Sequence, residues 1–172
     1  RVRREPALAD LVAGATLRTA DGAPLVWASR LAGRPLPERV AGSSLIHSLS
    51  AAAAESGHPI ALLGGEAGTA EAAAERLQQD HPALTIHTAD DLPMPLEPRT
   101  IPIEPWIERL QTPAPPAIVF IALGFPKQER LIARLRLHLP GTWWVGVGIA
   151  FSYVSGRIRR APPPLRQAGL EW

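Results

Sequence analysis

Three short apolar runs in this chain each close on glycine. Pro59 to Leu63 leads into Gly64-Gly65, Ala117 to Leu123 leads into Gly124, and Thr142 to Val147 carries Gly146 and is followed by Gly148. Runs this short, apolar at nearly every position, suit strands buried on both faces, as parallel strands covered by helices are. Helical segments lie between them. Ala23 to Ala32 reads as a helix, followed by a loop through Pro35 and Pro37. Ser43 or Ser44 suits the cap of a helix that runs to Ser56 and stops at Gly57. Gly68 to Gln79 is alanine-rich and helical, Pro105 to Gln111 is a short helix, and Pro126 to Leu139 is a helix with proline near its first turn. Leu84 to His87 reads as a further strand, and Thr88 to Pro105, with five prolines, reads as a loop. Ala7 to Leu17 is apolar and structured, as helix or as strand. This alternation predicts one α/β layered domain with a mostly parallel sheet.

The 172 residues suit a single domain, and a hydrophobic content of 46% is enough for a real core. No run of 18 uncharged apolar residues is present, and the start, RVRREPALAD, lacks a signal-peptide pattern. Without cysteine there are no disulfides and no thiolate metal sites. The five histidines form neither an HxH nor an HExxH pair, and Asp90-Asp91 has no DxD spacing, so no protein-built metal site is expected. Eighteen basic residues against 16 acidic ones give a net charge of only +2. Neither that charge nor any motif points to nucleic acid. The cationic end is more informative: Arg157, Arg159, Arg160 and Arg166 stand against Glu171 alone. Such an end suits phosphate or an anionic membrane surface, or is simply solvated. The stiff corner Ala161-Pro162-Pro163-Pro164 precedes Leu165, Leu170 and Trp172, which read as apolar anchors or as core.

Open α/β sheets bind ligands at the carboxyl ends of their strands. Gly64, Gly65, Gly124, Gly146 and Gly148 all fall at such ends, where glycine lets a backbone approach a ligand and a following helix start attracts phosphate. The segment GGEAG is neither GxGxxG nor a Walker loop, which argues against NAD and ATP. At the second strand end, Gly124-Phe125-Pro126-Lys127-Gln128-Glu129-Arg130 gathers a cation, an amide and an acid in one helical turn. Lys127 suits a phosphate and Gln128 a sugar or base; Glu129 alternatively serves the helix dipole, with Lys127 and Arg130 solvated. Asp21, before Gly22, is either a turn residue or a general base facing the pocket. Arg39 suits a diphosphate or pairs with a neighbour such as Glu38. Trp143-Trp144 lies in a strand and reads as core.

Four segments together resemble the WecG/TagA/CpsF glycosyltransferases. They are DGAPLVWASRLAGRPLPERVAG from Asp21, IALLGGEAGTAEAAAERL from Ile60, ALGFPKQER from Ala122, and GVGIAFSYVSGRIRRAPPPLRQAGLEW from Gly146. They follow the family's order across nearly the whole chain.

The resemblance implies a Rossmann-like α/β fold and an inverting, UDP-sugar-dependent enzyme. Such enzymes move N-acetylmannosamine or another hexose onto a polyprenyl-diphosphate-linked sugar, for teichoic acid, exopolysaccharide or related surface polymers. By the same resemblance Asp21 maps to the proposed base, Arg39 to the diphosphate-binding arginine and Gln128 to the active-site glutamine. Gly64, Gly65, Gly124, Lys127, Gly146, Gly148, Ser152, Arg157 and Arg160 fall in the substrate-binding motifs. No cofactor is implied beyond the donor. The expected location is cytoplasmic, peripheral to the inner face of the plasma membrane, with room for a homo-oligomer. Set against the family, residues 1–172 read as one glycosyltransferase domain lacking the extreme N-terminal and C-terminal segments. Ser152 stands where the family usually has aspartate near the nucleotide. The alternative reading is therefore a catalytically impaired sugar-nucleotide-binding or scaffold protein of the same fold.

Overall fold

The computed structural model describes residues 6–92 and 101–162. Four strands, β1 (Ile60–Gly64), β2 (Ile86–Asp90), β3 (Ile118–Ala122) and β4 (Trp143–Gly146), form one sheet in the order β2-β1-β3-β4. Every pairing is parallel. The apolar runs explain the order. Every residue of β1 and β3 is buried, so these two strands take the centre, while the half-buried β2 and the partly exposed β4 take the edges. β1 and β3 stay in register over five pairs, from Ile60 with Ile118 to Gly64 with Ala122.

Parallel strands need crossovers, and helices supply them. In chain order the helices are α1 (Pro6–Ala13), α2 (Ala23–Leu31), α3 (Gly42–Ser56), α4 (Thr69–Asp80), α5 (Glu104–Gln111), α6 (Lys127–Leu135) and α7 (Ala150–Val154). The strand pleat divides the core in two. Ile60, Leu62 and Phe120 face Ile46 of α3, Ala70, Ala73 and Leu77 of α4, and Phe151 of α7. Ala61, Leu63, Val119 and Ile121 face Leu110 of α5 and Leu131 and Leu135 of α6. The result is the expected α/β layered arrangement, helices on both faces of a parallel sheet. α1 packs on α6, and the Arg136 guanidinium donates to the Gly14 carbonyl at 2.8 Å.

Several boundaries differ from the sequence expectation. β2 begins two residues later than Leu84 and takes in Thr88, Ala89 and Asp90, which the sequence put in a loop. The pairing slips between Ile60–Ile86 and Ala61–Thr88, so His87 is the extra residue of a bulge that no periodicity reveals. α3 is capped at Ala41, not at Ser43 or Ser44, and ends as expected on left-handed Gly57, φ 69°. α6 stops at Leu135 instead of Leu139. Residues 6–13 resolve the open alternative as helix. Trp143 is 48% exposed because its strand is an edge, while Trp144 packs on the core. Pro163, Pro164, Leu165, Arg166, Leu170, Glu171 and Trp172 lie outside the described residues.

Phe120 is fully buried at the middle of β3. Phe120→Ala is expected to destabilise the domain by about 3–5 kcal/mol, measured by urea unfolding. A loss under about 1 kcal/mol would contradict that central position.

Candidate functional site at the carboxyl ends of the strands

Because all four strands are parallel, the turns that leave them share one edge of the sheet. The turn after β1 is tight. Gly64 and Gly65 have φ of 96° and 89°, and the Gly65 amide donates to the Ala122 carbonyl at 2.7 Å. A β-carbon on Gly64 would lie 2.9 Å from that same carbonyl oxygen, so only glycine fits. The following helix start was the expected phosphate site, but a protein carboxylate fills it. Asp91 accepts from the Gly68 amide at 2.5 Å and from the Ala70 amide at 3.3 Å. An anion is what a helix N-terminus favours, and here the chain provides its own. Arg157 holds the other side of the loop, donating to the Ala67 carbonyl at 2.8 Å and pairing with Glu66 at 3.3 Å. Gly64 and Gly65 thus allow the tight turn, while the amides behind them are occupied. Asp90, next to Asp91, accepts from Thr88 at 2.9 Å and pairs with Arg109, whose pKa that bond raises.

The turn after β3 carries exposed Gly124 and Phe125. The Lys127 amide closes it on the Gly124 carbonyl at 2.8 Å. Gln128, in the first turn of α6, crosses to β4. Its Oε1 accepts from the Gly148 amide at 3.1 Å, and its Nε2 donates to Glu129 Oε1 at 2.9 Å. The amide lies flat on Gly146, where a β-carbon would meet Nε2 at 2.7 Å and Cδ at 2.9 Å. Gly148, with φ 57°, turns the chain beneath it. The expected sugar-binding group therefore also fastens two strand ends together. Glu129 Oε2 is buried, with no hydrogen-bond partner among the described residues.

Asp21 and Arg39 reach this edge through the backbone. The Val40 amide donates to the Ala20 carbonyl at 2.9 Å, which sets Asp21 beside the segment carrying Arg39. Two residues on, Gly42 opens α3 directly against Val147, where an added β-carbon would lie 3.1 Å from Val147 Cα. One run of contacts thus links positions 21, 39 and 42 to the Gly146–Gly148 turn and Gln128. Asp21 is exposed, and Arg39 and Lys127 are half-buried. Ser152 is only 3% exposed inside α7, so its side chain belongs to the core. Arg160 turns back on the domain, donating to the Ser43 carbonyl at 3.3 Å and lying over the Tyr153 ring at 5.6 Å. Burial holds His47, on α3, below the ordinary histidine pKa; Asp80 opposes that shift and Arg160 adds to it. No group of three or more His, Asp or Glu side chains among the described residues is arranged to hold a metal ion. Sequence reasoning missed Asp91 as a helix cap, because its partners lie 21 and 23 positions away.

A parallel sheet flanked by helices, with glycine turns at the strand ends and an exposed carboxylate and half-buried cations on the adjoining segments, defines an α/β layered domain with a candidate site at that edge. Its sequence matches the glycosyl transferase WecG/TagA/CpsF family over residues 1–172, and the chain belongs to that family. It is 30% identical over 152 residues to an N-acetylglucosaminyldiphosphoundecaprenol N-acetyl-beta-D-mannosaminyltransferase of Bacillus spizizenii, covering 88% of this chain and 56% of the relative. A protein of the same description from Bacillus subtilis is 29% identical over 163 residues, covering 95% of this chain and 61% of the relative. The chain thus spans about three fifths of the length of these curated relatives.

Gly146→Ala is expected to push the Gln128 amide off its two bonds, at a cost of about 1–2 kcal/mol. Gln128→Ala removes the same two bonds. The double variant should therefore lose clearly less than the sum of the singles in urea unfolding. Strict additivity would show that Gln128 does not fasten β4 to α6.

Proposed function

We propose that this chain carries the site of an inverting glycosyltransferase. The enzyme would move N-acetylmannosamine or another hexose from a UDP-sugar to a polyprenyl-diphosphate-linked sugar in bacterial cell-surface polysaccharide synthesis. The observation that carries the reading is the linkage of positions 21, 39 and 128 along one sheet edge, in a chain of this family. The names of both relatives specify an N-acetylmannosaminyl group and a diphosphoundecaprenol-linked acceptor.

In this mechanism Asp21 takes the proton of the acceptor hydroxyl. The hydroxyl oxygen forms its bond to the anomeric carbon from the face opposite the UDP, and the anomeric bond to the diphosphate breaks with its electron pair on the departing phosphate. Inversion follows from that single displacement. Arg39 and Lys127 offset the charge that develops on the diphosphate. The exposure of Asp21 suits a base that must meet an incoming acceptor. The filled start of α4 supports placing the diphosphate nearer to Arg39 and Lys127 than to Gly64 and Gly65, since Asp91 would repel it there. No cofactor beyond the donor enters the reaction. On this reading a lipid-linked acceptor would bring the enzyme to the cytoplasmic face of the plasma membrane.

The burial of Ser152 favours a second reading, in which the chain binds a sugar nucleotide without turnover, because a core serine offers the nucleotide no carboxylate. UDP release with and without lipid-linked acceptor separates the two. In the enzyme, Asp21→Asn is expected to lower turnover by about 10²–10⁴-fold while leaving UDP binding nearly unchanged. Unchanged turnover would remove Asp21 from the mechanism.

A further inference from the structure

α2 is apolar on nearly every side, with Ser29 and Arg30 its only polar residues. Ala23 and Val26 are buried against the domain. The rest of its circumference carries Leu25, Trp27 and Leu31, which are 59%, 48% and 90% exposed; Trp27 and Leu31, four residues apart, share one stripe. A helix on a protein surface normally turns polar residues outward, so an apolar outer face marks a contact that the domain itself does not make. The adjoining loop extends it. Ser29 Oγ donates to the Val26 carbonyl at 2.7 Å and accepts from the Leu36 amide at 2.9 Å, which folds Leu36 back along the helix. With Leu17 and Leu36, this short stretch holds five of the ten exposed large hydrophobics among the described residues.

The surrounding charge selects the occupant. Residues 17–42 contain Arg18, Arg30, Arg34 and Arg39 against Asp21 and Glu38. Arg18, Arg30 and Arg34 are exposed. Exposed leucines and a tryptophan among arginines match an anionic bilayer, where the apolar side chains enter the acyl boundary and the guanidinium groups meet headgroups. A second copy of the chain fits less well, because a two-fold contact would set the same arginines against one another. Two arginines of the cationic end are less suited to lipid, since Arg157 is tied to Glu66 and Ala67, and Arg160 to Ser43 and Tyr153. The face also lies where a lipid-linked substrate must arrive, because Asp21 precedes Gly22, the residue that caps the start of α2.

We propose that the outer face of α2 is a lipid-contact surface that seats the domain on an anionic membrane and brings Asp21 to its acceptor, an inference that rests on the transferase reading. The test is co-sedimentation of the chain with phosphatidylglycerol-containing vesicles and with pure phosphatidylcholine vesicles, without acceptor or donor. The chain is expected to bind the anionic vesicles and to lose binding at high salt. Leu31→Glu, alone and with Trp27→Glu, should weaken that binding about tenfold or more. Leu137→Glu serves as the control. Leu137 is 75% exposed just beyond α6 and outside residues 17–42, and its substitution should change nothing. All the substituted side chains are at least half-exposed or nearly so, and circular dichroism melts should confirm that each variant keeps its fold. Equal binding by Leu31→Glu and the unaltered chain would overturn the proposal. So would a dimer in analytical ultracentrifugation that Leu31→Glu splits, without vesicle binding by either. Calorimetric UDP binding, measured in the same preparations, tests the transferase reading separately: UDP binding without vesicle binding sinks only the lipid surface.

Discussion

The pairing of β1 with β3 is the constraint on which the rest of the structure depends. Both strands are buried on both faces, and their five register pairs set the two strand ends, Gly64 and Ala122, side by side. The pairing also generates two separate half-cores, because side chains of one register alternate between the helices of either face. β2 and β4 add to it as edges. Hydrophobic burial is non-directional, so it accounts for the layering; the register comes from the backbone ladder and the pleat.

The turns that leave those strands illustrate how a shared architecture is put to particular use. In many α/β proteins the first strand-to-helix turn offers its free amides to a phosphate. Here Asp91 takes the amides of Gly68 and Ala70, and Arg157 clamps the same loop at Ala67 and Glu66. The loop is held from both sides by the protein's own side chains, and the Asp91 carboxylate disfavours a second anion at those amides. The Gln128 amide ties α6 to the turn beyond β4, so a candidate site residue also serves the scaffold.

The segment from Asp21 to Gly42 has a different character. The Val40 amide closes it on the Ala20 carbonyl, and Gly42 sets its far end against Val147, just beyond β4. Between those points it carries a helix with apolar residues on both its inner and outer sides.

The amino-acid sequence by itself determined the fold class, because strongly apolar runs between amphipathic helices have few ways to bury themselves other than a covered parallel sheet. The positions of β1, β3 and β4 were legible for that reason, as was the glycine that ends α3. The motifs also carried the family and its candidate residues Asp21, Arg39 and Gln128. Edge details were not legible: the bulge at His87, the late start of β2 and the exposure of Trp143 all depend on a strand having only one neighbour. Nor did the sequence indicate that Asp91 would fill the start of α4, that Gln128 would span to Gly148, or that Arg157 and Arg160 would turn inward. Each of these is a contact between residues 20 to 117 positions apart. Local pattern records which face of an element is apolar, but only the packed sheet decides which distant polar groups meet, and so which charges remain for a ligand.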